Sequence, residues 1–323
     1  MASFLKSLLV AGGAGFIGSH LSAALVENFD CDKLFIVDNL VTGSVDNIGD
    51  LIGSEKVEFI EGDIVELDKL SLETIKFSHI LNFASIASPK TYAEKSIETL
   101  QTGSLGVFNL LDLAKSSGAR FIHASTSEIY GDPMVHPQIE TYYGNVNSVG
   151  PRSMYDEAKR FGEATVTAYH SKFGLSYALV RIFNTYGPKM GQNDGRVIPN
   201  FVNAALNNLD LEVYGDGLQT RSLCYVSDLV SGILKLTQSE FCGPINLGNP
   251  SEITVIDLAK KIIKSLDSTS KIIHLEGLAD DPRQRCPDIT LAKKVLNWEP
   301  EISFETGLLK TSEYFKLINS GAD

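Results

Sequence analysis

The sequence predicts an α/β protein with a doubly wound parallel sheet and a smaller, interleaved domain towards the C-terminus. Short apolar runs rich in β-branched residues alternate with longer helical stretches, which is typical of a parallel sheet covered on both faces. Beyond about residue 185, turn residues become frequent, which indicates the smaller domain. The predicted strands lie at residues 7–12, 33–38, 57–63, 79–85, 120–125, 176–184 and 244–249.

The longest predicted helical stretch covers residues 96–118, and a later helix contains "YDEAK" at 155–159. A chain of 323 residues is long for one compact domain and sufficient for two. We therefore predict a first domain of residues 1–185, to which a segment around 222–250 returns. Residues 186–323 mainly form the second domain.

Composition excludes several classes of protein. With 43% hydrophobic and 21% charged residues the chain is globular, and a net charge of -12 without any lysine or arginine run argues against nucleic-acid binding. Cys31, Cys224, Cys242 and Cys286 are too scattered for a disulfide framework, which predicts reduced thiols. The six histidines lack metal-ligand spacing, so we expect no metal. The apolar N-terminal run breaks at glycines, so we expect neither a signal peptide nor a membrane span.

A glycine motif follows the first predicted strand. In "VAGGAGFIG", Gly12, Gly15 and Gly18 recur every three residues, with Phe16 and Ile17 opening the next helix. Glycines at this spacing permit a tight turn and a close approach of the backbone to a pyrophosphate, which then faces the helix N-terminus. The pattern predicts a Rossmann-type dinucleotide site.

Acidic residues at the ends of the next two strands extend this site. Asp38, followed by Asn39, lies 20 residues after Gly18, where a carboxylate can accept hydrogen bonds from both ribose hydroxyls. Because no arginine follows Asp38, we expect NAD rather than NADP. Asp63, followed by Ile64, ends the third strand. Two interpretations of Asp63 stay open, a contact with the adenine edge and a turn carboxylate.

Tyr155 and Lys159 share one face of their helix because they are four residues apart. A polar cluster of Thr126, Ser127 and Glu128 ends the fifth predicted strand. In an open parallel sheet, ligands bind at the carboxyl ends of the strands. The two groups therefore form a candidate catalytic site beside the dinucleotide.

These motifs resemble those of the extended short-chain dehydrogenase/reductases, the family of nucleotide-sugar epimerases, dehydratases and decarboxylases. The later blocks "STSEIYGDPMVHPQ", "VGPRSMYDEAKR", "RIFNTYGPKMGQNDGRVIPNF", "YGDGLQTRSLCYVSDLV", "NLGNP" and "DDPRQRCPDI" are similar to those of its UDP-glucuronate decarboxylases. The resemblance covers almost the whole chain. It implies a carboxy-lyase that keeps NAD bound and works on a UDP-sugar.

The chemistry of the residues agrees with this expectation. A hydroxyl can lose hydride to NAD only if its proton also leaves, and free tyrosine with a pKa near 10 is about 4 kcal/mol short of ionising at pH 7. An ammonium about 5 Å away supplies roughly 3 kcal/mol, and a nicotinium charge adds more. On this estimate Tyr155 with Lys159 is a sufficient base. The resemblance also implies that Lys159 holds the nicotinamide ribose.

The expected reaction has three steps. Tyr155 takes the proton of the carbon 4 hydroxyl while NAD takes the hydride, the resulting β-keto acid loses carbon dioxide, and the hydride returns to carbon 4. Thr126 and Tyr155 stabilise the enolate oxygen. Glu128, directly or through water, helps to protonate carbon 5.

Substrate contacts follow mainly from the resemblance, which implies that Asn184, Arg221 and Arg285 bind the diphosphate or the sugar. Arg196 lies in the loop beside them and touches either ligand. Tyr169 is about four turns beyond Tyr155 on the same helix and either faces the substrate or packs in the core.

The sequence leaves three alternative functions open. Glu128 counts against a 4-epimerase, and Ser127 replaces the acid that many 4,6-dehydratases carry, but some dehydratases pair Ser or Thr with Glu. A non-catalytic NAD-binding sensor is a third possibility. The chain departs from the family pattern at Ala11, Ile86, Gly103 and Cys286. Relatives usually dimerise through helices around residues 93–117 and 155–173, and we expect a cytoplasmic homodimer.

Overall fold

The computed structural model describes residues 6–192, 194–277 and 283–320. In chain order its strands are β1 (Ser7–Ala11), β2 (Lys33–Asp38), β3 (Val57–Glu61), β4 (Phe77–Asn82), β5 (Arg120–Thr126), β6 (Tyr177–Ile182), β7 (Thr185–Tyr186), β8 (Leu211–Tyr214), β9 (Thr220–Ser222), β10 (Cys224–Tyr225), β11 (Gly243–Leu247), β12 (Glu252–Thr254) and β13 (Ile272–Leu275). Its α-helices are α1 (Phe16–Asn28), α2 (Pro89–Glu94), α3 (Ser96–Gln101), α4 (Val107–Ser117), α5 (Ser153–Phe173), α6 (Val197–Leu206), α7 (Val226–Gln238), α8 (Val255–Ser265), α9 (Thr290–Leu296) and α10 (Phe304–Ser320).

A seven-stranded parallel sheet in the order β11-β6-β5-β4-β1-β2-β3 forms the centre of the molecule. The strand order reverses between β1 and β4, and the carboxyl ends of strands at such a reversal form a ligand-binding crevice. The predicted fold class, a Rossmann-type doubly wound sheet, is confirmed.

Residues along β1 alternate between the two faces of this sheet. Leu8 and Val10 pack into one core with residues of α1 and α7, whereas Leu9 and Ala11 pack into the other with residues of α4 and α5. Because both faces are covered, every residue of the strand is buried and the strand is apolar from Leu8 to Ala11. This explains why its sequence reads as a continuous apolar run rather than an alternating one.

The predicted helix at 96–118 is interrupted. A π-helical turn at Thr102–Gly106 separates α3 from α4, and Gly118 ends α4 in a left-handed conformation. A side chain at Gly103 would lie 2.6 Å from Cβ of Ala158 on α5. The glycine therefore lets this turn approach α5 next to Lys159.

The C-terminal part of the chain adds smaller sheets and further helices. β9 pairs antiparallel with β12, while β7 pairs with β10 and β8 with β13 in parallel. Between them, α7 packs beside α1, and β11 joins the central sheet next to β6. In the described ranges, no helix combines the length and the apolar character needed to cross a membrane.

Candidate active site

A cleft opens at the carboxyl ends of the central strands. It is lined by the glycine turn after β1, the ends of β2 and β3, the segment after β4 and one residue of the π-helical turn. These residues are Gly12, Gly15, Val37, Asp38, Asn39, Val41, Thr42, Gly62, Asp63, Ile64, Phe83, Ala84, Ser85, Ile86 and Thr102. Six of the predicted cofactor residues are among them.

The three glycines of the motif have different structural roles. Gly12 has a φ of +77°, and a Cβ there would lie 2.5 Å from the amide nitrogen of Ala84. A Cβ at Gly18 would lie 2.0 Å from the carbonyl oxygen of Gly12. A Cβ at Gly15 would meet only that carbonyl oxygen, at 3.3 Å. Packing thus requires Gly12 and Gly18, whereas Gly15 keeps the cleft open.

Helix α1 begins directly after Gly15. Among the described residues no side chain caps its first turn, which carries no acidic residue. Unpaired amides and the positive end of the helix dipole both favour an anion there. The turn therefore fits the pyrophosphate of a dinucleotide.

Asp38 is buried and held by the same turn. Its Oδ2 accepts a hydrogen bond from the Ala14 amide at 2.9 Å, and its Oδ1 accepts one from the Leu40 amide at 2.9 Å. Burial raises the pKa of Asp38, although these backbone donors oppose the shift. The carboxylate is rigidly placed at the wall of the cleft, where its remaining lone pairs can accept hydrogen bonds.

Asp63 both lines the cleft and caps a turn. Its Oδ1 accepts a hydrogen bond from the Val65 amide, and its Oδ2 accepts one from the Asn39 side chain, each at 2.8 Å. The adjacent Ile64 is buried and lines the cleft. Both interpretations of Asp63 are compatible with this geometry.

The other predicted cofactor residues lie behind or beside the cleft wall. Phe16 and Ile17 are half-buried in the first turn of α1 and pack against the core, and Gly18 lies against Gly12. Tyr155 adjoins the cleft through Ile86, against which it packs. Lys159 is one turn further along α5.

The Tyr155 phenol is buried between aromatic and polar neighbours. Its ring stacks on Tyr92 with centroids 5.2 Å apart, and its hydroxyl lies close enough to the Thr126 side chain for the latter to affect its pKa. Burial raises the pKa of Tyr155 to about 12, while Arg196 and Thr126 act to lower it and Glu128 acts to raise it. In the protein alone, burial is therefore the dominant effect.

Lys159 is close to this phenol but is held by the backbone. Its Nζ lies 5.9 Å from the centroid of the Tyr155 ring and donates a 2.8 Å hydrogen bond to the carbonyl oxygen of Ala124. Burial lowers the pKa of Lys159 to about 8. Burial thus opposes ionisation of both groups, a cost that the expected attraction between ammonium and phenolate does not include.

Glu128 lies in a short 3₁₀ helix, Ser127–Tyr130, for which Thr126 provides the N-cap. Both of its carboxylate oxygens accept hydrogen bonds from the Arg285 guanidinium, and Oε2 is also 2.8 Å from the Arg152 guanidinium. Burial acts to raise the pKa of Glu128, but Arg285 and Arg152 lower it below its usual value. Glu128 is consequently a carboxylate at neutral pH.

The remaining predicted residues surround this cluster. Ser127 is buried between Thr126 and Glu128. Arg221 is buried on β9 and lies near enough to lower the pKa of Glu128. Arg196 donates to the Ala87 carbonyl at 2.9 Å and pairs with Asp194 at 3.1 Å.

Asn184 follows β6, and its carbonyl oxygen accepts a hydrogen bond from the Cys224 amide at 2.9 Å. Its side chain is half-buried.

The structure does not bring Tyr169 to this site. Its hydroxyl donates to Asp112 at 3.0 Å, and its ring contacts those of Phe108 and Phe173 on the outer side of α4 and α5. Of the two interpretations offered by the sequence, packing is the one that agrees with these contacts. Three turns of helix separate Tyr169 from Lys159, so the shared helix did not imply a shared site.

Three site residues were not singled out from the sequence. Arg152 immediately precedes α5, Tyr92 lies in α2, and Asp156 follows Tyr155. Burial raises the pKa of Asp156 to about 7, with a further contribution from Glu128. Arg152 could have been found by its position three residues before Tyr155, at the start of the helix that carries the candidate base.

Comparisons with known proteins define the class. Residues 9–311 match the family model described as GDP-mannose 4,6 dehydratase. The structure aligns with UDP-glucose 4-epimerase from Thermotoga maritima, solved with UDP-glucose, with a TM-score of 0.89 and 29% identity over 97% of this chain and 100% of that chain. It aligns with dTDP-glucose 4,6-dehydratase from Streptomyces venezuelae, solved with NAD, with a TM-score of 0.87 and 26% identity over 98% of each chain. The chain belongs to the GDP-mannose 4,6-dehydratase family of extended short-chain dehydrogenase/reductases.

Within this family, the chain is 46% identical over 310 residues to UDP-glucuronic acid decarboxylase 5 of Arabidopsis thaliana. The match covers 96% of this chain and 89% of that relative. The resemblance found in the sequence blocks is confirmed.

Proposed function

We propose that this protein is an NAD-dependent UDP-glucuronate decarboxylase that forms UDP-xylose and carbon dioxide. The observation that carries the proposal is the cluster of the buried Glu128 and Arg285 with the half-buried Arg152, beside Tyr155 and Thr126. Hydride transfer at carbon 4 needs the tyrosine, and two guanidinium groups that already bind a carboxylate could also bind the carboxyl group of a uronic acid. The identity to a decarboxylase over almost the full chain supports the same conclusion.

The cleft fits NAD as the cofactor. Gly15 leaves room at the uncapped N-terminus of α1, and Asp38 provides a fixed carboxylate for ribose hydroxyls. When bound, NAD supplies a reversible hydride acceptor at carbon 4, so no net oxidation occurs. Asp38 would repel a 2'-phosphate, which favours NAD over NADP.

Tyr155 removes the proton of the carbon 4 hydroxyl. Its pKa of about 12 places the phenolate about 7 kcal/mol above the phenol at pH 7, so the base requires positive charge beside it. Lys159 supplies part of that charge, and the Thr126 hydroxyl stabilises the phenolate by a hydrogen bond. The same two hydroxyls stabilise the oxygen at carbon 4 when the β-keto acid loses carbon dioxide.

Arg285 and Arg152 form a preorganised site for a carboxylate, because Glu128 already binds there as one. The carboxylate of the substrate exchanges with Glu128 at one of these guanidinium groups. Glu128, an anion at neutral pH, then orients a water molecule that protonates carbon 5, and the hydroxide left behind takes up a proton from solvent. An indirect role is favoured because a carboxylate with a lowered pKa is a poor proton donor.

NAD and the nucleotide sugar bind to different parts of the chain. Residues 1–185, together with the segment around 222–250, hold NAD, and residues 186–323 mainly hold the nucleotide sugar. The return of α7 and β11 to the central sheet supports this division. Arg196, Arg221 and Asn184 are positioned to bind the diphosphate or the sugar.

We also propose a cytoplasmic homodimer that associates through the helices around residues 93–117 and 155–173. Exposed apolar side chains on α3, α4 and α5 support this interface, and the rings of Phe108 and Phe161 are 5.9 Å apart on it. The structure describes all four cysteines and pairs none of them, which agrees with a reducing compartment. Light scattering of the purified protein tests the dimer.

The proposal is tested by incubating the purified protein separately with UDP-glucuronate, UDP-glucose and dTDP-glucose. We expect carbon dioxide and UDP-xylose from UDP-glucuronate, without net accumulation of NADH. A 4-keto-6-deoxy product would identify a dehydratase instead, and UDP-galactose from UDP-glucose would identify an epimerase. Binding of NAD without turnover of any of these sugars would leave only the NAD-binding sensor.

A further inference from the structure

A cluster of three potential metal ligands lies next to the arginine that binds Glu128. His136, Glu252 and Cys286 each place one ligand atom within 4.8 Å of the others. His136 Nε2 and Glu252 Oε2 are 2.9 Å apart. The residues are separated by 116 and 34 positions in the chain, so no sequence spacing indicates the cluster. We propose that these three side chains bind a zinc ion.

The segments that carry the ligands are already held together by hydrogen bonds. The Cys286 amide donates to Oε1 of Gln138, and the Gln138 amide donates to the Cys286 carbonyl, which ties the thiol to the segment of His136. Glu252 on β12 lies opposite Ser222 on β9, and the Ser222 hydroxyl donates to the Arg285 carbonyl. The three ligands therefore have little freedom to separate, which lowers the entropic cost of binding.

The chemistry of the ligands favours zinc over calcium or magnesium. A thiolate, an imidazole and a carboxylate are ligands of zinc, whereas calcium and magnesium prefer oxygen alone. Ligand atoms around tetrahedral zinc are about 3.5 Å apart, so small side-chain rotations are sufficient. The Thr220 hydroxyl donates to Oε1 of Glu252 at 2.5 Å, which fixes the orientation of the carboxylate.

The site also has a route of entry. His136 and Glu252 are exposed, and Cys286 is buried beneath them. Binding replaces the hydrogen bond between His136 and Glu252 and the 3.2 Å contact of the thiol with the Pro250 carbonyl by bonds to the metal. The thiol proton leaves to solvent, and water completes the coordination. Because Arg285 precedes Cys286, the ion would fix the segment that carries this arginine.

The experiment titrates the purified, reduced full-length protein with Co²⁺ as an optical probe and with Zn²⁺ by calorimetry. We expect one ion per chain, a visible band of tetrahedral cobalt and a near-ultraviolet thiolate-to-cobalt charge-transfer band. Cys286→Ser should remove the charge-transfer band and weaken Zn²⁺ binding by about tenfold or more. Zn²⁺ should also raise the melting temperature of the wild type but not of this variant.

Cys242→Ser is the matched control, because Cys242 is an exposed thiol 3.9 Å from His170 in another part of the molecule. It should bind both metals as the wild type does. If Cys286→Ser fails to fold, His136→Ala tests the same site by removing an exposed ligand without disturbing the buried thiol. The proposal is overturned if the wild type takes up no ion, if uptake is unchanged in both ligand variants, or if Cys242→Ser alone abolishes it.

Discussion

Two buried charge clusters lie side by side in the candidate site, and their protonation states are shifted in opposite senses. In the first, burial raises the pKa of Tyr155 to about 12 and lowers that of Lys159 to about 8, so each group is shifted towards its neutral form. In the second, Glu128 is equally buried, yet Arg285 and Arg152 hold its pKa below the usual value. Depth of burial therefore does not decide whether a group is charged here.

The difference lies in the contacts. Glu128 accepts charge-assisted hydrogen bonds from two guanidinium groups, which replace its lost hydration. Lys159 instead donates to a neutral backbone carbonyl, and the Tyr155 phenol meets a neutral hydroxyl. A charge placed beside Tyr155 and Lys159 would therefore shift their pKa values, whereas the charge of Glu128 is already balanced by two arginines. Three substitutions test this comparison.

The largest effect is expected for Tyr155→Phe. Removing the only atom of this ring that can accept the carbon 4 proton should lower turnover by about 10²- to 10⁴-fold. Affinity for NAD should stay close to that of the wild type, because the phenol lies beside the cleft and not in its lining. Carbon dioxide release measures turnover, and calorimetry with NAD measures binding.

Tyr169→Phe is the matched control for this variant. It removes a hydroxyl from the same helix, but one that pairs with Asp112 on the outer surface. Its turnover should equal that of the wild type. If Tyr155→Phe kept more than a tenth of the activity, the assignment of Tyr155 as the base would be wrong.

The next effect is expected for Glu128→Gln. The substitution removes the Glu128 carboxylate from the buried Arg285 and the half-buried Arg152, which should cost about 3 kcal/mol of unfolding free energy and reduce turnover by about 10²-fold. Urea denaturation at pH 7 measures the first quantity, and initial rates measure the second. Equal stability of variant and wild type would show that this cluster is not neutralised as the contacts indicate.

Glu163→Gln is the control that separates the loss of stability from the loss of turnover. Glu163, whose side chain is 13% exposed, is likewise paired with an arginine, Arg181, at 2.8 Å, but it does not line the cleft. We expect a similar loss of stability and no loss of turnover per folded molecule. If both variants lost turnover alike, the effect at Glu128 would be one of stability alone.

The same contrast explains how much of the site could be predicted from sequence. Gly12, Gly15 and Gly18 lie within seven residues, and Tyr155 and Lys159 within five, so local geometry fixes their relative positions. The apolar strands and their parallel order followed equally from short-range patterns and the rule for βα units. The interruption of the helix by a π-helical turn around Gly103 could not be predicted from such patterns, because it depends on contact with α5.

The charge partners could not be predicted in this way. Glu128 and Arg285 are 157 residues apart, and the sequence offered several loop arginines without selecting between them. The sequence predicts a substrate contact for Arg285, and the structure adds a pairing with Glu128 that this prediction did not include. The effect of burial on the pKa of Tyr155 could not be predicted for a related reason. The cost of desolvation depends on all the atoms packed around a group, and the sequence does not show which atoms these are.

The smallest effect is expected for Asp156→Asn. Asp156 shares one feature with each of the two clusters. Like Glu128, Asp156 is buried near Arg152 and Arg285, but burial and the Glu128 charge raise its pKa to about 7. In the part of the chain that the structure describes, its Oδ1 has no hydrogen-bond partner. The two arginines therefore pair with Glu128, and burial is the main influence on the pKa of Asp156, as it is on that of Tyr155.

The sign of its pH dependence follows from the raised pKa. A carboxyl group that binds its proton more tightly in the folded state stabilises the fold fully below pH 3.8, and this contribution is lost as the pH rises to about 7. Asp156→Asn cannot lose it, so its stability relative to the wild type should rise by about 2 kcal/mol between pH 5 and pH 7. Asp257→Asn is the control, because Thr254 and Lys260 lower the pKa of Asp257 and its contribution changes only at lower pH. A stability difference for Asp156→Asn that stays flat from pH 5 to pH 7 would mean that Asp156 shares the arginines with Glu128, and the contrast between the clusters would then be one of degree.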